Sequence, residues 1–178
     1  MLILLNGPPG VGKSTIAQLY ADDHPLALNL DIDRIRALLG RWQDHAHEAG
    51  LRARALALSM ARTHLGAGHD VIVPQYLGRA TFVEQLEELA RDQDVRFREL
   101  VLLDSKANLL RRFAERTGAG ADPGHVDAAA QLGENPEVRL GEMYDRLMTI
   151  IDQRPKAQII PCEQEHPRLT YQRVTAAL

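Results

Sequence analysis

Cysteine is nearly absent from this chain, since Cys162 is the single one among 178 residues. One cysteine cannot form an intrachain disulfide, so the fold depends on its core and not on covalent cross-links. A chain of this length is long enough to bury a full core as one domain, expected to cover residues 1–178. Sparse cysteine usage is typical of a reducing compartment, and we expect a cytoplasmic protein.

Long apolar segments are also missing. The first apolar run covers residues 2–5 only, which is far too short to cross a bilayer. Met1 supplies no positively charged stretch ahead of that run, as a secretion signal requires. The sequence therefore predicts no association with a membrane.

An excess of positive charge is lacking too. The formal net charge is −3 and the isoelectric point is near 6.2, which leaves no electrostatic footprint for nonspecific nucleic-acid binding. Lysine is scarce as well, because Lys13, Lys106 and Lys156 are the only lysines among 21 basic residues. A nucleic-acid partner is not expected, and a lysine inside a glycine-rich motif is not there by abundance.

Such a motif stands near the start of the chain, as GPPGVGKST at residues 7–15. It fits the phosphate-binding loop pattern G-x-x-x-x-G-K-[ST], and it lies between an apolar run and a helical pattern, as that loop requires. Glycines let backbone amides converge on phosphate oxygens at a helix N-terminus. Lys13 is expected to reach the β- and γ-phosphates, and Ser14 to bind Mg²⁺. The predicted ATP-binding residues are Gly7, Pro8, Pro9, Gly10, Val11, Gly12, Lys13, Ser14 and Thr15.

The rest of the chain alternates between strand-like and helix-like patterns. Strands are predicted at about 1–6, 26–31, 70–73, 97–104 and 158–160. Helices are predicted at about 14–21, 34–39, 45–65, 80–91, 106–116, 136–153 and from 167 onward. Strands alternating with helices indicate an α/β fold whose parallel sheet is covered on both faces. Ligands of such sheets bind at the carboxyl ends of the strands, where the chemistry is expected.

The second strand is followed by an aspartate and an arginine with helical spacing. If a helix begins at Asp33, then Asp33 and Arg36 face the same side. A hydroxyl that attacks a γ-phosphate needs a carboxylate to orient it and to accept its proton. We expect Asp33 to be that base and Arg36 to hold an anionic part of the substrate. The alternatives are that Asp33 only caps the helix, or that Asp31 is the base.

The third strand ends without the acidic residue that many phosphate-loop enzymes place there to organise the metal. Pro74 and Gln75 stand at that position, so Mg²⁺ must rely on Ser14, on waters and on Asp31 or Asp33. The residues that follow the strand are expected to line the acceptor pocket. They are Gln75, Tyr76 and Arg79.

The helix after the fourth strand carries Arg112 and Arg116 on one face, ahead of a Gly/Pro-rich segment. Glycine-rich segments beside a site commonly act as lids that exclude water. We expect a helical lid at about residues 111–137, whose arginines meet the charge on the transferring phosphoryl group. The alternative is an ordinary charged helix face.

Taken together, these features resemble the zeta-toxin-like group of P-loop kinases, which includes chloramphenicol phosphotransferase and polynucleotide 5′-kinase. The resemblance rests on the phosphate-binding loop, on the D-x-x-R of residues 33–36 and on the arginine-bearing lid. It implies an adenylate-kinase-like fold with five parallel strands in the order 2-3-1-4-5. It also implies that Asp33 is the general base, Arg36 the acceptor-side arginine, and Arg112 and Arg116 the lid arginines.

Several functions remain open at this point. The preferred one is a kinase that phosphorylates a hydroxyl of a small molecule, resembling an antibiotic, a nucleoside or a sugar. The others are a nucleoside monophosphate kinase, a polynucleotide 5′-hydroxyl kinase, and a regulatory module that binds a nucleotide without catalysis. A monophosphate kinase needs arginines and no base, because its acceptor is already ionised. The residues that decide among them are therefore the acceptor-side residues.

Overall fold

A computed structural model describes residues 1–118, 135–162 and 166–178, with the side chains of 116–118 left out. The described strands are β1 (Leu2–Asn6), β2 (Leu28–Asn29), β3 (Val71–Pro74), β4 (Phe97–Leu103) and β5 (Gln158–Pro161). The described helices are α1 (Lys13–Asp23), α2 (Ile32–Ala37), α3 (Ala46–Gly66), α4 (Ala80–Asp92), α5 (Lys106–Gly118), α6 (Pro136–Asp152) and α7 (Pro167–Ala176). The chain is a single α/β domain, as its sequence predicts.

All five strands are parallel, and their order is β2-β3-β1-β4-β5. This order confirms the one that the family resemblance implies. The central strand β1 pairs with β3 on one side and with β4 on the other, so its loop emerges in the middle of the sheet edge. Because every strand points the same way, the loops that follow them meet at one edge.

The side chains of β1 alternate between two cores. Leu2 and Leu4 belong to a buried cluster on one face of the sheet, whereas Ile3 and Leu5 belong to a cluster on the other face. The residues are all fully buried, as expected for a strand covered on both faces, where the sequence is apolar without alternation. Helices therefore pack on both sides of the sheet.

The long helix α3 packs through alanines. Its buried residues are spaced by four along the helix and are Ala49, Ala53, Ala57, Ala61 and Leu65. Residues with this spacing lie on one face, and small side chains allow a close approach of the neighbouring elements. In this way α3 supports α2, which carries part of the candidate site.

The structure differs from the sequence prediction most at the second strand. The strand expected over 26–31 is only Leu28–Asn29, at the edge of the sheet and paired with β3 alone. Leu26 has a positive φ of 63°, which ends the extended backbone on one side. Asp31 ends it on the other side, because its side chain caps α2.

No helix among residues 1–118, 135–162 and 166–178 is long and apolar enough to span a bilayer. The predicted lid at 111–137 falls mostly on residues 119–134, which lie outside the described ranges, and it stays a prediction.

Candidate functional site

The phosphate-binding loop connects β1 to α1, and its glycines hold backbone conformations that other residues rarely adopt. Gly10 and Gly12 have φ values of 79° and 102°, and Gly12 is the N-cap of α1. At Gly7, a Cβ atom would lie 2.6 Å from the carbonyl oxygen of Leu102 on β4. The loop can pass this close to the central sheet only with glycine at that position.

Lys13 turns back over this loop. Its Nζ donates hydrogen bonds to the carbonyl oxygens of Gly7 and Pro8, each at 2.9 Å. Burial lowers the pKa of the Lys13 ammonium to about 8, an effect that the carboxylates of Asp33 and Asp31 oppose.

Ser14 and Thr15 lie exposed in the first turn of α1. The amides of a first helical turn have no partner inside the helix, and the helix dipole places partial positive charge there. The N-terminus of α1 is therefore suited to bind an anion, and the Ser14 hydroxyl is accessible to a ligand.

The short helix α2 assigns different roles to the two aspartates beside it. Asp31 is the N-cap, and its Oδ1 accepts hydrogen bonds from the amides of Asp33 at 3.0 Å and Arg34 at 3.4 Å. The helix begins at Ile32, two residues before the start at about residue 34 that the sequence predicts. The alternative in which Asp33 is the cap is therefore wrong, and the Asp33 carboxylate is left for other contacts.

The Asp33 side chain is 52% exposed and pairs with Arg36, whose Nη2 lies 3.0 Å from Oδ1. Desolvation by the surrounding protein raises the pKa of the Asp33 carboxyl, while the positive charges of Arg36, Lys13 and Arg54 oppose that shift. Asp33 thus lies among cations from α1, α2 and α3. Asp33 and Arg36 lie on the same side of α2, as the sequence predicts, and they form an ion pair that it did not predict.

Arg36 contacts both Asp33 and Trp42. Its guanidinium lies over the ring of Trp42, with 4.6 Å from Cζ to the ring centroid. Its Nε is buried and has no hydrogen-bond partner in the described part of the chain. A stacked, partly unsatisfied guanidinium has donors left for an anionic ligand.

The loop after β3, residues 75–79, holds the three predicted acceptor-side residues in different ways. The backbone N–H of Gln75 donates to the carbonyl of Leu5 at 3.0 Å. The side-chain Oε1 of Gln75 is buried and has no described hydrogen-bond partner. The Tyr76 hydroxyl donates to the carbonyl of Met143 on α6 at 3.1 Å. Arg79 is exposed at the N-cap position of α4.

Arg112 forms an ion pair that the sequence analysis missed. Its Nη1 binds Oδ2 of Asp104, which directly follows β4, and the two side chains are only 16% and 12% exposed. Burial alone would raise the pKa of the Asp104 carboxyl, but hydrogen bonds from Asn108, Arg112 and the Ser105 amide together hold it below its usual range. Arg112 Nε and Nη2 are buried without described partners. The position of Asp104 at the end of a strand is the only sequence signal for its role, and it does not identify Arg112 as the partner.

Cys162 lies near this ion pair. Burial raises the pKa of its thiol to about 12, with the Asp104 carboxylate adding to the shift. A thiol of this kind stays protonated and packs as an apolar residue. The side chain of Arg116, the second predicted lid arginine, lies outside the described residues.

Comparison with known proteins assigns the chain to a family. A family model described as an AAA domain matches residues 2–133, which is most of the chain. The chain belongs to this family. Its fold is the P-loop kinase fold. No curated protein sequence matches the chain significantly.

Solved structures with the same fold cover nearly the whole domain. A candidate kinase from Chloroflexus aurantiacus is 19% identical, with a TM-score of 0.68, over 99% of this chain and 97% of that one. A gluconokinase from Sinorhizobium meliloti is 19% identical, with a TM-score of 0.57, over 98% and 91%. A tunicamycin resistance protein from Deinococcus radiodurans is 18% identical, with a TM-score of 0.57, over 97% and 94%. At these identities the likeness shows the fold.

Proposed function

We propose that this protein is an ATP-dependent kinase that transfers the γ-phosphoryl group to a hydroxyl of a small molecule. One observation carries the proposal: the carboxylate of Asp33 lies within electrostatic reach of the Lys13 ammonium. A carboxylate that has no capping role thus interacts electrostatically with the residue that we expect to bind the β- and γ-phosphates. An acceptor that carries its own ionised phosphate has no need for such a group.

Asp33 is assigned the role of general base. The acceptor oxygen forms a bond to the γ-phosphorus while the bond from that phosphorus to the β–γ bridging oxygen breaks, and ADP leaves. The hydroxyl proton passes to the Asp33 carboxylate and from there to solvent. Because the Asp33 side chain is half exposed, both the acceptor and water can reach it.

The residues around the loop fit a nucleotide with a divalent cation. The Lys13 ammonium, the positive-φ glycines and the first turn of α1 are donors for phosphate oxygens. Ser14 is the protein ligand that we assign to Mg²⁺, which when bound neutralises charge on the phosphates. Among the described residues, no three His, Cys, Asp or Glu side chains cluster as a metal site. We assign the phosphates and waters as the other ligands of the ion.

The remaining predicted residues are assigned by position. We assign Arg112 to the phosphoryl group, because its buried Nε and Nη2 do not bond to Asp104. We assign Arg116 to the same group. Arg36, Gln75 and Arg79 are assigned to the acceptor. Tyr76 is assigned to the same side, and its hydroxyl bond to the Met143 carbonyl on α6 fixes its position there.

The fold is compatible with an alcohol acceptor, since one of the similar structures is a gluconokinase. The test is ADP release in the presence of a panel of acceptors: sugars, sugar acids, nucleosides and hydroxylated antibiotics. Nucleoside monophosphates and an oligonucleotide with a free 5′-hydroxyl complete the panel. The proposal predicts stimulation by at least one small hydroxyl compound. Stimulation by monophosphates alone, by the oligonucleotide alone, or by nothing would contradict it.

A further inference from the structure

Asn6 is a polar residue at the end of an otherwise apolar strand, and it is fully buried. Burying an amide costs free energy unless its donors and acceptors are satisfied. Its Oδ1 accepts hydrogen bonds from the Gly7 amide at 2.8 Å and from the Leu77 amide at 2.9 Å. Its Nδ2 donates to the Leu77 carbonyl at 3.3 Å. One side chain therefore binds the first amide of the phosphate-binding loop and both backbone groups of Leu77.

These bonds continue the sheet beyond its last backbone pair. In the register of β1 and β3, Leu5 lies beside Pro74, and the Leu5 carbonyl accepts the Gln75 amide at 3.0 Å. Beyond that pair the two backbones separate into their loops. A side-chain amide presents a donor and an acceptor side by side, so it can pair with the N–H and C=O of one residue as a peptide group does.

The loop of residues 75–79 is also fixed at its other side. Tyr76 reaches α6 through its hydroxyl bond to the Met143 carbonyl. Gly78 leaves room for this contact, because a Cβ there would lie 2.5 Å from the Tyr76 hydroxyl oxygen. The loop is thus held between the phosphate-binding loop and α6, and Asn6 is its connection to the nucleotide side.

We propose that Asn6 is a positioning residue that couples the phosphate-binding loop to the acceptor-side loop of residues 75–79. A shift of the Gly7 amide on nucleotide binding changes its bond to Asn6 Oδ1, and the Leu77 amide on the same oxygen responds. The test has two parts. The part that measures nucleotide binding needs no acceptor, whereas the part that measures phosphoryl transfer rests on the proposed kinase function.

The nucleotide-binding part uses backbone amide NMR signals during titration with the imido analogue of ATP and Mg²⁺. In the parent protein, the Gly7 and Leu77 signals should both shift with the same apparent affinity. In Asn6→Ala the Gly7 signal should still shift, whereas the Leu77 response should be lost. Asn6→Ser, whose shorter side chain does not reach Leu77, should behave in the same way and serves if the alanine variant does not fold.

The phosphoryl-transfer part compares transfer with the basal release of ADP to water. Misplacement of a substrate-positioning group by about 1 Å costs roughly 10²-fold, so Asn6→Ala should lower kcat/KM for transfer by about that factor while basal hydrolysis changes less. The matched control is Tyr20→Phe, which removes a partly buried 2.7 Å hydrogen bond to Asp70. Asp70 directly precedes β3, so this bond lies at the edge of the sheet opposite to the candidate site. That variant should lose stability but keep both the Leu77 response and the transfer rate.

The inference is overturned if Leu77 still responds to the nucleotide in both Asn6 variants, or if Tyr20→Phe abolishes the response equally. A parent protein that binds nucleotide with no Leu77 response overturns it as well. Absence of any acceptor would contradict the proposed function alone and would leave the result of the nucleotide-binding part intact.

Discussion

The carboxylate of Asp33 on α2 and the ammonium of Lys13 at the start of α1 lie close enough to influence each other's pKa. The two residues are 20 positions apart in sequence. This interaction is possible because β1 and β2 end at the same edge of a parallel sheet, so that the loops after them converge.

Nucleotide binding should weaken at alkaline pH. Burial lowers the pKa of Lys13 to about 8, and only its protonated form attracts phosphate. Below that pH the ammonium is charged and affinity is constant. Above it the free protein loses the proton, so Kd should rise by up to about tenfold per pH unit. Titration with a fluorescent ATP analogue at pH 7–9.5 measures the effect.

The control for this titration is Lys13→Arg, because a guanidinium stays protonated across the range. Its Kd is expected to be higher than that of the parent but independent of pH. If the parent protein shows the same flat profile as the arginine variant, the depressed pKa of Lys13 is refuted.

Gly7→Ala should destabilise the protein and weaken nucleotide binding together. A Cβ at this position meets the backbone carbonyl of Leu102 at 2.6 Å, and a central strand cannot move aside as a side chain can. Overpacking of this kind costs about 1–3 kcal/mol of the free energy of unfolding. Chemical denaturation and nucleotide titration measure the two effects.

Gly40→Ala is the matched substitution, since a Cβ there has open space and the backbone is not in the left-handed region. It should leave the free energy of unfolding and the nucleotide affinity near those of the parent. Equal losses in both variants would show that the close approach to β4 is not the cause.

Replacing Arg112 should affect turnover more than nucleotide affinity. Its Nε and Nη2 are buried without described partners, and an arginine that meets the transferring phosphoryl group acts mainly in the transition state. We expect Arg112→Ala to lower kcat by about 10³-fold or more, with a much smaller change in the Kd for ATP. Single-turnover rates and binding titrations separate the two quantities.

The neighbouring Arg111 serves as the control. It is exposed and pairs with Glu115 at 2.7 Å, an ion pair of a kind that contributes little to stability. Arg111→Ala should keep both kcat and the melting temperature. Loss of ATP affinity with kcat unchanged in Arg112→Ala would place that residue in ground-state binding instead.

The sequence predicts the fold well because its signals are local. A lysine-poor chain with a complete phosphate-loop pattern after an apolar run leaves few alternatives for residues 1–15. The alternation of apolar strands and amphipathic helices then specifies a parallel sheet. Element positions agree with the structure to within one or two residues in most cases, with the short edge strand Leu28–Asn29 as the main exception.

The candidate site is predicted less completely, because its contacts join residues that are distant in sequence. Asn6 looks like the polar end of a strand, and nothing local indicates that it binds Leu77, 71 positions away. Asp104 and Arg112 are only eight positions apart, but one follows a strand and the other lies on a helix, so their pairing is recognisable only once α5 is placed. The N-cap of α2 could not be predicted either, because the sequence does not say whether Asp31 or Asp33 accepts hydrogen bonds from the first amides of the helix.

The most direct test of the account is phosphoryl transfer by Asp33→Asn. This substitution keeps the size of the side chain but removes the proton acceptor, so single-turnover transfer should fall by about 10²- to 10⁴-fold. ATP affinity and the melting temperature should change little. Asp31→Asn is the comparison, because asparagine also caps a helix and Asp31 is assigned no proton transfer.

The measurement is the single-turnover rate of both variants with the acceptor that the panel yields, alongside ATP titration and thermal unfolding. The account predicts a large loss of transfer in Asp33→Asn with ATP binding retained, and a rate near that of the parent in Asp31→Asn. Transfer at the parent rate by Asp33→Asn would contradict the central claim, and a selective loss in Asp31→Asn would move the role of base to that residue.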